Sequence, residues 1–297
     1  MDPFFLLNDF EIYLNSEKRV SNHTLVAYIK DIRDFIHSFS LTNQNEMNEV
    51  SFQVLRSWLV ELVESGLSNR TINRKISSVR MYFKWLIKNK YILTDPTTRL
   101  KGPKTEKRLP TFIKQSELSP DALSDIFPNN NEGLRDRLFI ELFYQTGIRL
   151  SELISLKTSS VTTTMIKVLG KRNKERLIPI SDNLSMLIKV YLTCKTEDES
   201  KSPFLFTLKN GDKLYPKFVY RKINYYLGLI TTIEKKSPHV LRHSFATHML
   251  NNGAGLETLK NILGHASLAA TQVYTHSSFA QLNSIYSSAH PRGHNKT

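Results

Sequence analysis

The chain has 297 residues, of which 40% are hydrophobic, so it can bury the core of one large or two moderate domains. Its 41 lysines and arginines exceed its 27 aspartates and glutamates, and the formal charge of +14 favours a polyanionic partner, although basic proteins that bind no nucleic acid are common. A single cysteine, Cys194, excludes an internal disulfide, and no apolar run approaches the roughly 18 residues of a membrane span, so we predict a soluble, cytoplasmic protein without a membrane partner.

Residues 3 to 92 predict four helices, because apolar side chains recur there at helical spacing in four stretches. The fourth helix begins after Ser68 and has a basic outer face. Such a face is usually only solvated. Here, however, hydroxyl and amide side chains lie among the cations, a mixture that is typical of contacts to DNA phosphates and base edges. We therefore predict DNA contacts from Arg70, Thr71, Arg74 and Lys75.

Residues 93 to 117 contain three prolines, one glycine and several cations with little periodicity, which indicates a linker. We accordingly predict a DNA-binding domain at residues 1–97, a basic linker at 98–117 and a second domain at 118–297. The positive charge of the linker favours a path across a DNA backbone.

From about residue 118 the pattern is helical again, and a long helix is predicted to break at Gly147 and Ile148. A new helix then begins at Arg149. Glu152 lies three residues further along on the same helix face, so its carboxylate could hold the Arg149 guanidinium in place. The alternative is an ordinary ion pair at the surface, which stabilises a helix only slightly.

Residues 165 to 180 predict a β-hairpin, because two short β-rich runs, MIKVL and RLIPI, flank the turn sequence GKRNKE. Gly170 and Lys171 do not form a phosphate-binding loop, since the upstream glycine and the following Ser or Thr of that motif are absent.

Residues 237 to 276 combine the side chains that best fit a phosphate site. Ser237 and Pro238 predict the start of a helix, and His239 and Arg242 share one face of its first turn, where the helix dipole favours an anion. Gly264 is predicted to end the next helix. A further short helix is predicted to begin after Ser267.

A single histidine on a helix is more often structural than chemical, and an exposed tyrosine is usually only part of the surface. Zinc binding by His239 and His243 is disfavoured, because metalloprotease spacing needs a Glu where Val240 stands and because Arg242 would repel a cation. We therefore predict no metal site.

The sequences HVLRHSFATHML, LGHAS and TQVYTH, together with TGIRLSEL and LGKRNKERLIPI upstream, resemble the tyrosine recombinase family, and most of all its Xer branch. The N-terminal stretch GLSNRTINRKISSVRMYFKWL resembles the core-binding domain of the same enzymes. The resemblance implies a mainly α fold with a small β-hairpin (α+β), in which a SAM-like four-helix core-binding domain precedes a catalytic domain. It also implies that the last helix, at about 277–288, docks into a neighbouring subunit.

The resemblance implies six catalytic residues and no cofactor: Arg149, Lys171, His239, Arg242, His265 and Tyr274. Tyr274 would be the nucleophile that forms a 3′-phosphotyrosyl link, and Arg149 and Arg242 would clamp the scissile phosphate. Lys171 would be the general acid, His239 would assist proton transfer at the tyrosine, and His265 would donate a hydrogen bond to the phosphate. Glu152 would support Arg149, while Lys174 and Arg176 would contact the DNA backbone.

The function implied is site-specific recombination of double-stranded DNA through a Holliday junction, with chromosome or plasmid dimer resolution as the task. The resemblance leaves open whether the tetramer on synapsed sites holds one kind of subunit or two, and whether a DNA translocase controls it. An integrase or invertase of a mobile element is the nearest alternative. A type IB topoisomerase and a non-catalytic DNA-binding factor are the others, and the intact tyrosine and arginines argue against the last.

Overall fold

The computed structural model describes residues 3–41, 43–105, 111–170, 175–264 and 276–293, with the side chains of 3–5, 44 and 276–281 left undescribed. The chain divides into two compact units, Met1–Arg108 and Leu109–Thr297. Within the described ranges, no helix has the length and apolarity that crossing a membrane requires.

The N-terminal unit is built from helices α1 (Pro3–Ser16), α2 (Asn22–Ser38), α3 (Gln44–Glu49), α4 (Phe52–Glu64) and α5 (Asn69–Lys88). The four predicted helices are confirmed, whereas α3 is an addition to the prediction. Its six residues are too few to show an apolar period, and it begins because the side chain of Asn43 accepts hydrogen bonds from the backbone N–H groups of Asn45 and Glu46.

Aromatic rings fill the core of this unit. Phe35 on α2 packs edge-to-face on Trp58 of α4 and on Phe83 of α5, with ring centroids 5.1 and 6.1 Å apart. Phe10 of α1 lies 5.1 Å from the ring of Tyr82. Such edge-to-face pairs stabilise a core beyond the area they bury.

Part of the segment with linker composition packs on α5. Asn69 and Asn73 donate hydrogen bonds of 2.8 Å to the carbonyls of Lys104 and Pro103, and Arg80 donates one of 2.6 Å to the carbonyl of Leu100. These bonds satisfy backbone acceptors that an irregular segment would otherwise leave to water. Residues 98–104 therefore belong to the N-terminal unit.

The C-terminal unit opens with two 3₁₀ turns, Ser116–Leu118 and Asp121–Leu123, and has a third at Thr158–Ser160. Its regular elements are α6 (Asn131–Thr146), α7 (Leu150–Ile154), β1 (Met165–Leu169), β2 (Glu175–Pro179), α8 (Asp182–Thr193), α9 (Glu197–Lys201), α10 (Pro216–Ile230), α11 (Pro238–Asn251), α12 (Leu256–Leu263) and α13 (His276–Ala289). Helix α6 is buried along most of its length and packs against α8, α10 and α11.

The predicted hairpin is confirmed as an antiparallel pair in which Met165 faces Pro179 and Leu169 faces Glu175. Ile166 and Val168 of β1 point into the core, as does Ile178 of β2, because side chains on one face of a strand recur every second residue. The four residues 171–174 between the strands lie outside the described ranges.

The last described residues, up to 293, are anchored on their own unit. Leu282 and Tyr286 of α13 are buried in the core, and the Arg292 guanidinium bonds the carboxylate of Glu141 and the carbonyl of Leu118. The Arg292 guanidinium carbon also lies 5.7 Å from the centre of the Tyr144 ring, at cation–π distance. In this single chain the described part of α13 thus covers its own core, and docking into a neighbour stays a prediction.

His290 completes this anchor. Its Nε2 lies 3.2 Å from the carbonyl of Tyr144, and its Nδ1 accepts a hydrogen bond of 3.0 Å from the N–H of Arg292, which assigns the ring proton to Nε2. Burial lowers the pKa of His290 to about 3, so the ring is neutral and the anchor does not titrate near neutral pH.

We expect the Arg292→Met variant to lower the free energy of unfolding by about 3 kcal/mol, because it leaves the buried Glu141 carboxylate without its cation. The control is Lys209→Met, which removes a pair with Glu132 at the surface and should change stability by less than about 1 kcal/mol. Both tryptophans lie in the N-terminal unit, so denaturation is followed by circular dichroism rather than by tryptophan fluorescence. Equal losses in the free energy of unfolding for the two variants would contradict the role of Arg292 as an anchor.

Candidate active site

Arg149 is placed by a helix end. Gly147 ends α6 in the left-handed conformation, at φ 58°, where an added Cβ would lie 2.6 Å from Leu263. The chain then turns, and Arg149 becomes the N-cap of α7. Its backbone N–H donates to Glu152 Oε2 at 2.8 Å, and its Nη1 donates to Glu152 Oε1 at 2.7 Å. The predicted contact between Arg149 and Glu152 is therefore present.

Glu152 is not a surface residue, since only 4% of its side chain is exposed. Besides Arg149, it accepts hydrogen bonds of 2.8 Å from both terminal nitrogens of Arg176, one at each carboxylate oxygen. Burial on its own would raise the pKa of Glu152, but the hydrogen bonds and the charge of Arg176, and then the backbone and side-chain hydrogen bonds of Arg149, lower it to about 2. The carboxylate is thus ionised at neutral pH, and the alternative of an ordinary surface pair is wrong.

Arg176 points inward rather than towards the surface that its predicted role requires. It was predicted to contact the DNA backbone, yet only 5% of its side chain is exposed and its guanidinium points inward to Glu152. Its Nε donates a further bond of 2.7 Å to the carbonyl of Ile262 at the end of α12. The sequence did carry a sign of this orientation, because Arg176 and the core residue Ile178 share one face of β2.

Arg242 reaches the same region from α11. Its Nη1 donates to the carbonyl of Gly147, and its Nη2 donates to the carbonyl of Leu263 at 2.8 Å. The next carbonyl along the chain, that of Gly264, accepts from Arg149 Nη2 at 2.9 Å. Two arginines that are 93 positions apart in the sequence therefore meet at adjacent carbonyls.

The C-terminal ends of two helices hold these guanidiniums. Gly147 and Gly264 both have left-handed backbones, and the last carbonyls of a helix carry partial negative charge that favours cations. Burial, followed by the charges of Arg149 and Arg176, lowers the pKa of Arg242 to about 10, so it stays protonated at neutral pH. The arginine cluster consists of Arg149, Arg176, Arg242 and the Glu152 carboxylate, and its formal charge is +2.

His239 lies exposed in the first turn of α11, as predicted, one turn before Arg242 on the same helix. Helix α11 begins at Pro238 as expected, although the Ser237 side chain makes no capping hydrogen bond. Lys171, Lys174, His265 and Tyr274 lie outside the described residues.

Chemically, the arginine cluster can bind an anion, because Arg149 and Arg242 offer two charged, forked donors that are held in place before the ligand arrives.

The basic face predicted on α5 is partly turned inward. Lys75 is 8% exposed, and its Nζ lies 2.7 Å from Asp34 and 3.4 Å from Asp31, while Arg74 pairs with Asp31 as well. Contrary to the exposed face that the sequence predicted, the charge of Lys75 serves the packing of α2 on α5, and a DNA contact from Lys75 stays a prediction. Arg70 is exposed and Thr71 half-buried.

The amino-acid sequence matches the model of the phage integrase family over residues 115–281 and that of its N-terminal SAM-like domain over residues 7–90. It is 37% identical to the tyrosine recombinase XerC of Bacillus subtilis, covering 97% of this chain and 96% of that protein. It is 33% identical to the tyrosine recombinase XerD of Staphylococcus epidermidis, covering 97% and 99%. Among solved structures, the XerH site-specific recombinase bound to palindromic difH substrate in a post-cleavage complex is similar with a TM-score of 0.72 and 25% identity, over 89% of this chain and 79% of that one.

We expect the Glu152→Gln variant to lose stability in a pH-dependent way. A group whose pKa is depressed on folding stabilises the fold above its unfolded pKa and loses that contribution as the pH falls through its folded pKa. The shift from 4.5 to about 2 corresponds to about 3 kcal/mol. The stability difference between wild type and variant should be constant above about pH 5 and narrow towards about pH 3. A difference that stays the same in acid would contradict the ion-pair geometry described for Glu152.

Proposed function

The chain belongs to the phage integrase family of tyrosine recombinases, and we propose that it is a site-specific recombinase that cuts and rejoins double-stranded DNA through a 3′-phosphotyrosyl intermediate. The observation that carries the proposal is the meeting of Arg149 and Arg242 at the adjacent carbonyls of Leu263 and Gly264. In this proposal the two guanidiniums bind the scissile phosphate, and Tyr274, ten residues beyond Gly264 in the sequence, attacks it.

The chemistry explains why each group is needed. A phosphodiester is anionic and repels a nucleophile, and the two permanently charged guanidiniums offset that charge with hydrogen bonds that strengthen as the pentacoordinate state forms. A tyrosine that displaces the 5′ oxygen keeps the bond energy in a phosphotyrosyl ester, so rejoining needs no nucleotide fuel. Glu152 acts through Arg149, because its buried negative charge fixes the direction of that guanidinium.

Proton transfer is assigned to three further residues. A phenol has a pKa of about 10 and needs a base, and His239 is proposed to assist there because histidine changes charge near neutral pH. Lys171, in the connection between β1 and β2, is proposed to protonate the leaving 5′ oxygen. His265 is proposed to donate a hydrogen bond to the phosphate. No step in this scheme calls for a metal or a cofactor.

The relatives favour the Xer-type role over integration or inversion of a mobile element. Their names are XerC and XerD, and the alignments run over nearly the whole of each protein. We propose that the chain acts in the cytoplasm on chromosomal or plasmid DNA and resolves dimers through a Holliday junction. The active assembly would be a tetramer on two synapsed sites, formed by this chain alone or together with a related recombinase, and a DNA translocase is a candidate regulator.

The test is covalent trapping. A duplex that the purified protein enriches from a random-sequence library is rebuilt with a nick beside the cleavage point, so that the cut fragment diffuses away. Wild type should accumulate a covalent complex with Tyr274 as the linked residue, identified by mass spectrometry of the digested complex. Tyr274→Phe should bind the duplex and form no adduct, because the nucleophilic oxygen is gone. An adduct in the Phe variant would remove the assigned nucleophile.

Arg149→Ala and Arg242→Ala should each lower the single-turnover rate of adduct formation about 100-fold or more while leaving the DNA dissociation constant within about threefold, because each removes charge stabilisation of the transition state. Lys201→Ala is the control, since that lysine is exposed on α9 and should leave the rate unchanged. Loss of DNA binding in parallel with the rate would instead make these arginines simple DNA contacts.

A further inference from the structure

We propose that Arg176 is a positioning residue of this recombinase, which holds both phosphate-binding arginines in place without touching the DNA. The inference rests on the proposed function, since it assigns a role within the same site. It replaces the DNA-backbone contact that the sequence predicted for Arg176.

Arg176 joins three elements of the C-terminal unit. It is carried by β2, its Nη1 and Nη2 donate to Glu152 on α7, and its Nε donates to the carbonyl of Ile262 on α12. All three kinds of guanidinium nitrogen are thus used inside the protein. A fork of this shape fixes both the distance and the direction between its partners, which a lysine ammonium cannot do with a single nitrogen.

Each phosphate-binding arginine depends on one of these contacts. Glu152 Oε1 accepts from Arg176 Nη1 and from Arg149 Nη1, so the two guanidiniums share one carboxylate oxygen. The carbonyls that follow Ile262 are those of Leu263, which accepts from Arg242, and Gly264, which accepts from Arg149. By holding the Ile262 carbonyl, Arg176 therefore also fixes the next two carbonyls, which accept hydrogen bonds from Arg242 and Arg149.

The electrostatics argue against a role in packing alone. Arg176 places a third positive charge near Arg149 and Arg242, and its charge helps to lower the pKa of Arg242. A buried charge among like charges is unfavourable, and an apolar side chain would fill the same space without that repulsion. The repulsion is offset only because Arg176 holds the carboxylate that orients Arg149.

Local packing is fitted to this guanidinium. A Cβ on Gly264 would lie 3.1 Å from Arg176 Cδ and 3.2 Å from its Nη1, and the left-handed φ of 64° disfavours any other residue there. Position 264 thus needs a glycine for two reasons. A side chain there would crowd Arg176, and the left-handed backbone directs the Gly264 carbonyl towards Arg149.

The experiment compares Arg176→Met and Arg176→Lys with a matched control, Arg135→Met. Arg135 is also a buried arginine paired with a buried carboxylate, that of Asp136, but it lies towards the start of α6, whereas Gly147 follows the end of that helix. All variants are tested as full chains on the nicked duplex, with the DNA dissociation constant, the thermal midpoint and the single-turnover rate of adduct formation measured in parallel.

We expect Arg176→Met to lower the single-turnover rate about 100-fold at saturating DNA, since a displacement of about 1 Å in a positioning group has an effect of that size. Arg176→Lys should recover part of the rate, because its ammonium can still pair with Glu152. The DNA dissociation constant should stay within about threefold for both variants. Arg135→Met should lower the thermal midpoint as much as Arg176→Met does and keep the wild-type rate.

The pH profile supplies a readout that lost packing would not change. Glu152 faces Arg149 at the start of its own helix, Arg176 on β2 and the charge of Arg242 on α11. Without Arg176, Glu152 loses the hydrogen bonds and the charge that do most to lower its pKa, so its pKa rises and acid protonates the carboxylate and releases Arg149 more readily. The ratio of the Arg176→Met rate to the wild-type rate should therefore fall as the pH is lowered from about 8 to about 5. Taking the ratio removes the effect of groups that titrate in both proteins. The corresponding ratio of the Arg135→Met rate to the wild-type rate should not change with pH.

Three outcomes would decide against the proposal. If wild type forms no adduct with Tyr274, the proposed function fails and this inference fails with it. If wild type is active and Arg176→Met is equally fast, this inference alone is overturned. The same holds if Arg135→Met is slowed as much as Arg176→Met, because the effect would then follow stability rather than position.

Discussion

A single buried carboxylate, that of Glu152, accepts hydrogen bonds from two arginines that come from different parts of the chain. Arginines repel one another, and a site that must bind a phosphate needs them close together. The negative charge between Arg149 and Arg176 offsets part of this repulsion, while its burial ensures that water does not screen the attraction. The same carboxylate bonds the Arg149 backbone N–H, so one residue fixes both the start of α7 and the direction of its first side chain.

Backbone carbonyls provide the rest of the negative potential. Gly147, Ile262, Leu263 and Gly264 all present carbonyls at helix ends, and each accepts from an arginine of the cluster. A carbonyl carries only partial charge, so it can orient a guanidinium without neutralising it, as a second carboxylate would. The cluster thereby keeps net positive charge for an anion while its donors stay fixed in direction, which is what preorganised electrostatic stabilisation requires.

Local patterns predicted the elements that carry this site. Apolar periodicity and the glycine at position 147 placed the break before Arg149, and β-rich runs placed the hairpin. What failed was the exposure of cations. Lys75 and Arg176 lie in basic stretches, yet their partners Asp31 and Glu152 are 44 and 24 positions earlier in the chain. The alternation of β2 places Arg176 on the inward face, but the partner of a buried cation depends on tertiary packing, which periodicity within one helix or strand does not contain.

Helix α6 connects the site to the anchor formed by His290 and Arg292. Its last turn leads to the Gly147 carbonyl that holds Arg242, while Tyr144 and Glu141, about one and two turns earlier, hold His290 and Arg292. Gln145 links Glu141 to Ser181 at the start of α8, with bonds of 2.9 and 2.8 Å. Because these polar groups are buried and hydrogen-bonded to one another, α6 cannot shift along its axis without breaking several of the bonds at once. The position of Arg242 is thus fixed by contacts that extend well beyond its own helix.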